Sequence, residues 1–318
     1  MLPIPSLNQP NLPSVNKAGE IAALNFLKGQ AMKLSKGNPR GRDSGAEAQG
    51  LISRLAFLLA SLLAILLTGC TTCSPSHAIS PVTFRVMTYN IHHGEGLDGK
   101  VDLERIAQLI RNEGADIVAL QEVDKGVART AQRDFPAELA RLTGFTCVFS
   151  NNHTFQGGEY GNAILSRFPV KRWHNLHYRM LRPNEQRGLL QLELNVHGHA
   201  LVFMTTHIDY RPDDSERWVN LDEIEAAARA YAGKPIILCG DFNTQPDSRV
   251  SRRLAQTFED TWAVAGQGPG FTYPTEPPRE RIDYLWIPKD KSVVPLRAWV
   301  PSSRASDHLP VVAEFSFR

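Results

Sequence analysis

The nine residues Pro235-Ile236-Ile237-Leu238-Cys239-Gly240-Asp241-Phe242-Asn243 constrain this chain more than any other stretch. A continuous apolar run bounded by Pro and Gly reads as a strand buried on both faces. Its C-terminal end delivers a carboxylate and a carboxamide two residues apart. Strand alternation puts Asp241 and Asn243 on one side and turns Phe242 into the core. Asp and Asn are also ordinary turn formers, so the tetrapeptide alone is read either way. Other strand ends of the same kind weigh on the choice.

Those ends appear as the chain is followed from residue 81. Phe84–Ile91 is a strand carrying Asn90 at its end, before His92-His93-Gly94. Asp102–Asn112 places Leu103, Ile106, Leu109 and Ile110 on one helical face, with Gly114 as its stop. Asp116–Val123 is a buried strand ending in Glu122, Phe135–Leu142 a short helix, and Phe145–Ser150 another strand. Gly161–Phe168 and Gly188–Val196 continue the sheet, and a turn at 196–200 leads into Leu201–Asp209 with His207 near its end. Asp214–Tyr231 is the longest helix, and a further helix lies near Ser248–Phe258. A loop rich in Gly and Pro (266–279) precedes the strands Arg281–Ile287, Val293–Val300 and Leu309–Phe317, the last preceded by Asp307-His308. No internal repeat or shift of composition divides residues 82–318, so they are expected to form one domain. Hairpin-linked strands mixed with a few helices argue for an α+β fold.

The N-terminal quarter differs in kind. Residues 1–50 show scattered Pro, Gly, Ser, Lys and Arg without a period, and are read as disordered or as untranslated sequence, Met32 being an alternative start. Arg54 is followed by an apolar run from Leu55 to Leu67, interrupted only by Ser61. That is too short for a bilayer span, which takes about 20 residues, but it suits a secretion signal. Its ending, Leu67-Thr68-Gly69-Cys70, resembles the lipobox of bacterial lipoproteins, which implies a signal over 51–70, lipid on Cys70 and a tether over 71–81. An uncleaved signal anchor is the rival reading. Thr71 after the cysteine, in place of Asp, points to the outer membrane of a bacterial envelope. The first 80 residues hold seven Lys/Arg and three Asp/Glu of the chain's 35 and 33, so the remainder nets −2. Such a domain is poorly suited to tight, sequence-independent binding of long nucleic acids, where phosphate neutralisation dominates. Cys147 and Cys239 fall inside strands and are read as small buried apolar residues. Without a second Cys-x-x-Cys pair, no zinc site is expected.

Asn90, Glu122, His207, Asp241 with Asn243, Asp283, and Asp307 with His308 thus gather at separate strand ends. Each has an ordinary explanation as a turn former or solvated side chain, except Asp283. It interrupts the apolar run Ile282-Asp283-Tyr284-Leu285-Trp286-Ile287, where a carboxylate without a partner carries a large desolvation cost. Together, Thr-Tyr-Asn, Leu-Gln-Glu-Val, Gly-Asn-Ala-Ile-Leu-Ser-Arg, Thr-His, Gly-Asp-Phe-Asn, Arg-Ile-Asp-Tyr and Ser-Asp-His-Leu-Pro resemble, in order, the motifs of the endonuclease/exonuclease/phosphatase superfamily. The resemblance covers about residues 82–317.

It implies a four-layer α/β/β/α sandwich, two packed mixed sheets with helices outside and the site at one rim. It also implies a hydrolase of phosphate esters using Mg²⁺ or Mn²⁺, oxygen ligands being suited to such hard ions. By motif match, Glu122 is the principal metal ligand, with Asn90 and Asp307 near the metal. Asp241 positions or deprotonates the attacking water, and Asn243 holds it or a phosphoryl oxygen. His308 contacts the scissile phosphate, oriented by Asp283, and His207 acts as general acid. Arg187 and Asn162 are assigned to phosphate binding or, equally, to the sheet edge. The expected enzyme is a lipid-anchored monomer acting on a membrane-presented or small extracytoplasmic phosphodiester. A secreted-type nuclease, a phosphomonoesterase of inositol or sugar phosphates, and an inactive binding module are the alternatives.

Overall fold

The computed structural model describes residues 82–318. The N-terminal extension, the signal segment, Cys70, Cys73 and the tether lie outside the described residues. The strands are β1 (Thr83–Asn90), β2 (Ile117–Lys125), β3 (Thr146–Phe155), β4 (Gly158–Ser166), β5 (Val170–His177), β6 (Gly188–Val196), β7 (His199–His207), β8 (Ile236–Asp241), β9 (Phe258–Asp260), β10 (Asp283–Pro288), β11 (Val293–Trp299) and β12 (Val311–Phe317). The helices are α1 (Leu103–Glu113), α2 (Phe135–Thr143), α3 (Ser215–Arg229), α4 (Arg249–Thr257) and the short α5 (Thr261–Ala265).

Two six-stranded sheets result, ordered β11-β12-β1-β2-β4-β3 and β5-β6-β7-β8-β10-β9. Each contains one parallel pair, β1 with β2 and β7 with β8; the other neighbours are antiparallel. A parallel pair needs a crossover long enough to hold a helix, and α1 and α3 fill that place. Asp102 fixes the start of α1, its side chain accepting from the amides of Glu104 and Arg105.

Packing follows from strand alternation. Phe84, Val86, Ile117 and Ala119 of the first sheet meet Leu192, Phe203, Ile237 and Cys239 of the second in a shared core. The opposite faces carry the helices: Val118 and Leu120 pack with Ile106, Ile110 and Leu139, while Met204 and Leu238 pack with Leu221 and Ile224. A fully buried side chain of this size is worth about 1.5–3 kcal/mol, so the sandwich stands on these three clusters. The expected four-layer architecture is therefore present. No helix among the described residues is long and apolar enough to cross a membrane.

Several elements depart from the expectation. β3 runs on to Phe155 and β4 starts at Gly158, joined by Gln156 and Gly157, both at positive φ (45° and 82°). That is the backbone of a tight two-residue hairpin turn. β5 was not anticipated because its residues, Lys171-Arg172-Trp173-His174-Asn175, are mostly exposed and follow no alternation. It is an edge strand formed by pairing with β6. β9 and α5 were likewise missed, each being too short to show a period. Cys239 is buried as expected, whereas Cys147 is only half-buried.

Gly240 shows how tightly the organising stretch is held. Its φ is +139°, and an added Cβ would sit 1.9 Å from the Thr206 carbonyl oxygen on β7. Backbone cannot yield there as a flexible side chain can. We predict that Gly240→Ala lowers unfolding free energy by about 3 kcal/mol, read by urea denaturation; wild-type stability would contradict this account.

Candidate active site

The two parallel pairs end at one rim of the sandwich, and the chemistry lies there. β1 ends at Asn90, β7 at His207 and β8 at Asp241, while β10 begins at Asp283 and Asp307-His308 lie just before β12. Carboxyl ends of parallel strands are where open α/β sheets place ligands. Two of these positions differ from the reading of the sequence. Asp283 is the first residue of β10, not an interruption within it. Glu122 is inside β2, not at its end, in a bulge where the register with β4 jumps between Leu120 and Val123. The bulge explains its direction. Gln121 points between the sheets, Val123 toward the helices, and the extra residue Glu122, at φ 59°, is turned out of the alternation.

Glu122, His207, Asp241, Asn243, Asp307, His308 and Arg187 all line one cavity of about 560 Å³. Asn90 and Asp283 stand behind its wall, each 1% exposed. Asn90 Nδ2 donates both to Glu122 Oε1 and to Asp241 Oδ2, at 3.0 Å each, and its Oδ1 accepts from the His92 amide. It therefore turns its NH₂ group, not its oxygen, toward the carboxylates. The Asn243 amide donates to Asp241 Oδ1 at 2.9 Å, and its Nδ2 to the Ile208 carbonyl at 3.0 Å. Alternation does not govern Asn243, because β8 has ended and its φ is 45°. Phe242 is in the core as expected, edge-on to Tyr284 and Trp286.

His308 Nδ1 lies 2.9 Å from Asp283 Oδ2, and its Nε2 is 3.8 Å from Asp241 Oδ2. His207 Nε2 is 3.4 Å from the same Asp241 oxygen. Burial, followed by the charge of Asp283, pushes the Asp241 carboxyl up to about 7, against the pull of His308, the Asn243 amide and Asn90. For His308, burial opposes the charged ring, but Asp283, Asp241 and Asp307 outweigh it and raise the ring to about 10. His207 goes the other way: burial, then Arg187 and His308, hold it well below the ordinary range. One imidazole is kept charged and its neighbour neutral.

Asn162 does not join the site. It is 1% exposed, and its Nδ2 donates to the Gly188 carbonyl on β6, so it ties the first sheet to the second. Arg187 does reach the cavity, paired with Glu185 at 3.0 Å, and its Nε has no partner. The reading of the sequence missed Arg129, Tyr160, Glu185, Tyr210 and Tyr273, which complete the wall. Tyr273 leans on the His308 ring, centroids 4.8 Å apart. Arg129, Glu185, Tyr210 and Tyr273 sit on connections and Tyr160 near the start of β4, where neither period nor a buried charge marked them.

The donor set fits a hard divalent ion. Glu122 and Asp307 present carboxylates into the cavity, and Asp241 is a buried carboxylate whose pKa is raised by burial and by the charge of Asp283. Asp241, Asp283 and His308 also offer atoms within 4.8 Å of one another. That trio is tied internally by the Asp283–His308 hydrogen bond, so Glu122 and Asp307 are the better ligands.

A rim cavity with carboxylates, a His–Asp pair and an arginine, on two packed mixed sheets, defines a metal-dependent hydrolase of phosphoester bonds. The sequence model of the Endonuclease/Exonuclease/phosphatase family matches residues 87–308, and the chain belongs to that family. It is similar to the Escherichia coli protein YbhP, 26% identical over 251 residues, spanning 73% of this chain and 96% of the relative. Nocturnin of Xenopus laevis is 27% identical over 311 residues, covering 77% and 75% of the two chains. Among solved structures, an endonuclease/exonuclease/phosphatase from Beutenbergia cavernae superposes with a TM-score of 0.64 at 25% identity, over 74% of this chain and 72% of that one.

If Asp283 acts by orienting His308, each replacement alone should cost about 10²–10⁴-fold in kcat/KM. The double variant should then be little worse than the worse single one. A cycle of Asp283→Asn and His308→Ala, with thermal melts of all four proteins, tests this; multiplicative losses would exclude the pairing. Asn162→Ala should instead lower the melting temperature and leave the rate per folded molecule near wild type.

Proposed function

We propose that this protein hydrolyses phosphate esters, phosphodiesters foremost, by metal-assisted attack of water on a membrane-presented or small extracytoplasmic substrate. The observation that carries the reading is the double donation from Asn90, which sets Glu122 and Asp241 side by side while Asp283 and His308 face them. Glu122 and Asp307 would hold Mg²⁺ or Mn²⁺, which offsets negative charge on the phosphoryl oxygens. Asp241, an acceptor with a raised pKa, takes the proton of the attacking water. Asn243, fixed by its bond to Ile208, keeps that water or a phosphoryl oxygen in line. His308 holds a proton against Asp283 and presents Nε2 to the phosphate, so proton delivery to the leaving oxygen is assigned to it. His207, buried and neutral, serves as a hydrogen-bond donor beside Asp241, in place of the general-acid role first expected. Arg187, which lines the cavity, takes a phosphoryl oxygen.

The proposed address rests on the sequence around Cys70. A lipid-anchored protein there would meet headgroup or extracytoplasmic esters.

Hydrolysis of bis-p-nitrophenyl phosphate should vanish with EDTA and return with Mg²⁺ or Mn²⁺. Glu122→Gln should raise the metal concentration for half-maximal rate at least about tenfold, second-sphere and ligand losses typically costing about 10–100-fold. Activity surviving chelation would refute the metal reading. Cys70→Ser should abolish labelled-fatty-acid incorporation in a bacterial host, and unchanged labelling would remove the anchor.

A further inference from the structure

Arg129, in the short turn Ala128–Thr130 after β2, is held at several points at once. Its backbone amide donates to Gln156 Oε1 at 2.9 Å, and its Nε and Nη2 donate to the two oxygens of Asp124, both at 2.8 Å. The Phe155 and Tyr160 rings lie 4.9 and 5.3 Å from the guanidinium carbon. The side chain is nevertheless 27% exposed and lines the catalytic cavity together with Glu122, whereas Asp124 is fully closed off behind it.

Asp124 has no other business in the fold. Among the described residues its hydrogen bonds are the pair from Arg129 and one from the Thr130 hydroxyl at 3.1 Å, and no backbone N–H donates to it. Burying a carboxylate carries a large desolvation cost, and a buried ion pair is seldom more stable than apolar residues of the same size. The sheet alone therefore does not call for this pair. What the pair does is fix the plane of a guanidinium at the cavity wall.

A guanidinium carries five N–H groups in a planar fork. Asp124 occupies the Nε–Nη2 edge, and no hydrogen bond among the described residues uses Nη1. The remaining N–H groups, on Nη1 and Nη2, make a second edge that matches two oxygens of one phosphoryl group. Arg187 has less to offer, since its Nη1 lies 3.0 Å from Glu185 and its Nε is closed to solvent.

We infer that Arg129 is a second arginine of the phosphate site, gripping phosphoryl oxygens through its Nη1–Nη2 edge, and that Asp124 is its positioning residue. The inference rests on the phosphoesterase reading and adds to it a residue that no sequence motif carried. A donor fixed in place beforehand needs no reorganisation as charge builds on those oxygens.

The test uses bis-p-nitrophenyl phosphate with Mg²⁺, beside thermal melts of every variant. Arg129→Lys keeps a charge for Asp124, but one ammonium cannot serve the carboxylate and a phosphoryl group as two edges do. It should melt near wild type and lose about ten- to a hundredfold in kcat/KM, the worth of a hydrogen bond to a charged group. Arg129→Ala should lose at least as much and regain about tenfold with millimolar guanidinium chloride. That rescue should vanish in the double variant Asp124→Asn, Arg129→Ala, because the added ion docks on the carboxylate. Wild-type kcat/KM in Arg129→Lys, failure of guanidinium to rescue Arg129→Ala, or rescue that survives loss of the Asp124 carboxylate would overturn the inference. Should Arg129→Ala not fold, Arg129→Lys decides alone. Should wild type cleave no ester, the phosphoesterase reading fails separately, and calorimetric titration of the metal-free protein with inorganic phosphate decides the arginine. Wild type should then bind phosphate about tenfold tighter than Arg129→Lys, and equal affinities would overturn the assignment.

Discussion

Asp241 and Asp283 are directly opposite one another in the antiparallel register of β8 and β10, and both are 1% exposed. Like charges facing across strands destabilise a sheet. At roughly 5 Å and an effective dielectric of about 20, the repulsion is on the order of 3 kcal/mol. The compensation comes from the other sheet. His308, ahead of β12, bonds Asp283 and keeps its second nitrogen toward Asp241, while Asn90, at the end of β1, donates to Asp241 directly. The rim that would be the weakest part of the sandwich is thus where its two sheets are electrostatically tied. The two imidazoles are shifted in opposite directions: carboxylates on two sides outweigh burial at His308, whereas burial, then Arg187 and His308, lower His207.

Beneath that rim the sheets are joined by neutral polar bonds before the apolar core begins. Gln121 Nε2 donates to Thr88 Oγ1 on β1 and to Thr205 Oγ1 on β7, at 3.2 and 3.0 Å. The β2 bulge makes this layer and the site compatible. Without the extra residue, a single side chain would have to serve both as the inter-sheet tie and as the carboxylate of the cavity. With it, Gln121 closes the floor and Glu122 enters the pocket beside Asp241. Within the first sheet, the Ser306 hydroxyl donates to the Asn90 carbonyl, so the segment carrying Asp307 and His308 is fixed to the end of β1.

What the sequence revealed divides along these lines. The apolar runs of β1, β2, β8 and β10 were legible because burial on both faces leaves a composition that no loop has. Asp283 was legible because a charge next to such a run demands a partner, and His308 supplies it. The bulge was not, since Gln121-Glu122 in an apolar strand carries no mark of which residue is extra; only pairing with Ala163 and Gly161 sets it. Asn162 was left open between two roles for a related reason. A carboxamide beside Gly161 suits a phosphate contact as well as an inter-sheet bond, and the nearness of the Gly188 carbonyl is a fact of tertiary packing alone. β5 and the wall residues Arg129, Glu185, Tyr210 and Tyr273 were hidden because edge strands and connections obey no period.

That division bears on how one catalytic centre serves different substrates. The reacting groups stand on backbone whose alternatives are closed, by Gly240 against the Thr206 carbonyl and by the Asp241–Asp283 register. Arg129, Glu185, Tyr210 and Tyr273 come instead from connections between elements, which tolerate change at small cost to the core. Arg129 is nevertheless not loose: buried Asp124, two residues after Glu122 on β2, holds it through two bonds. A loop residue held by the strand that also carries Glu122 has its position set by the same bulge that sets that carboxylate. β2 therefore places both a wall residue of the cavity and one of its carboxylates.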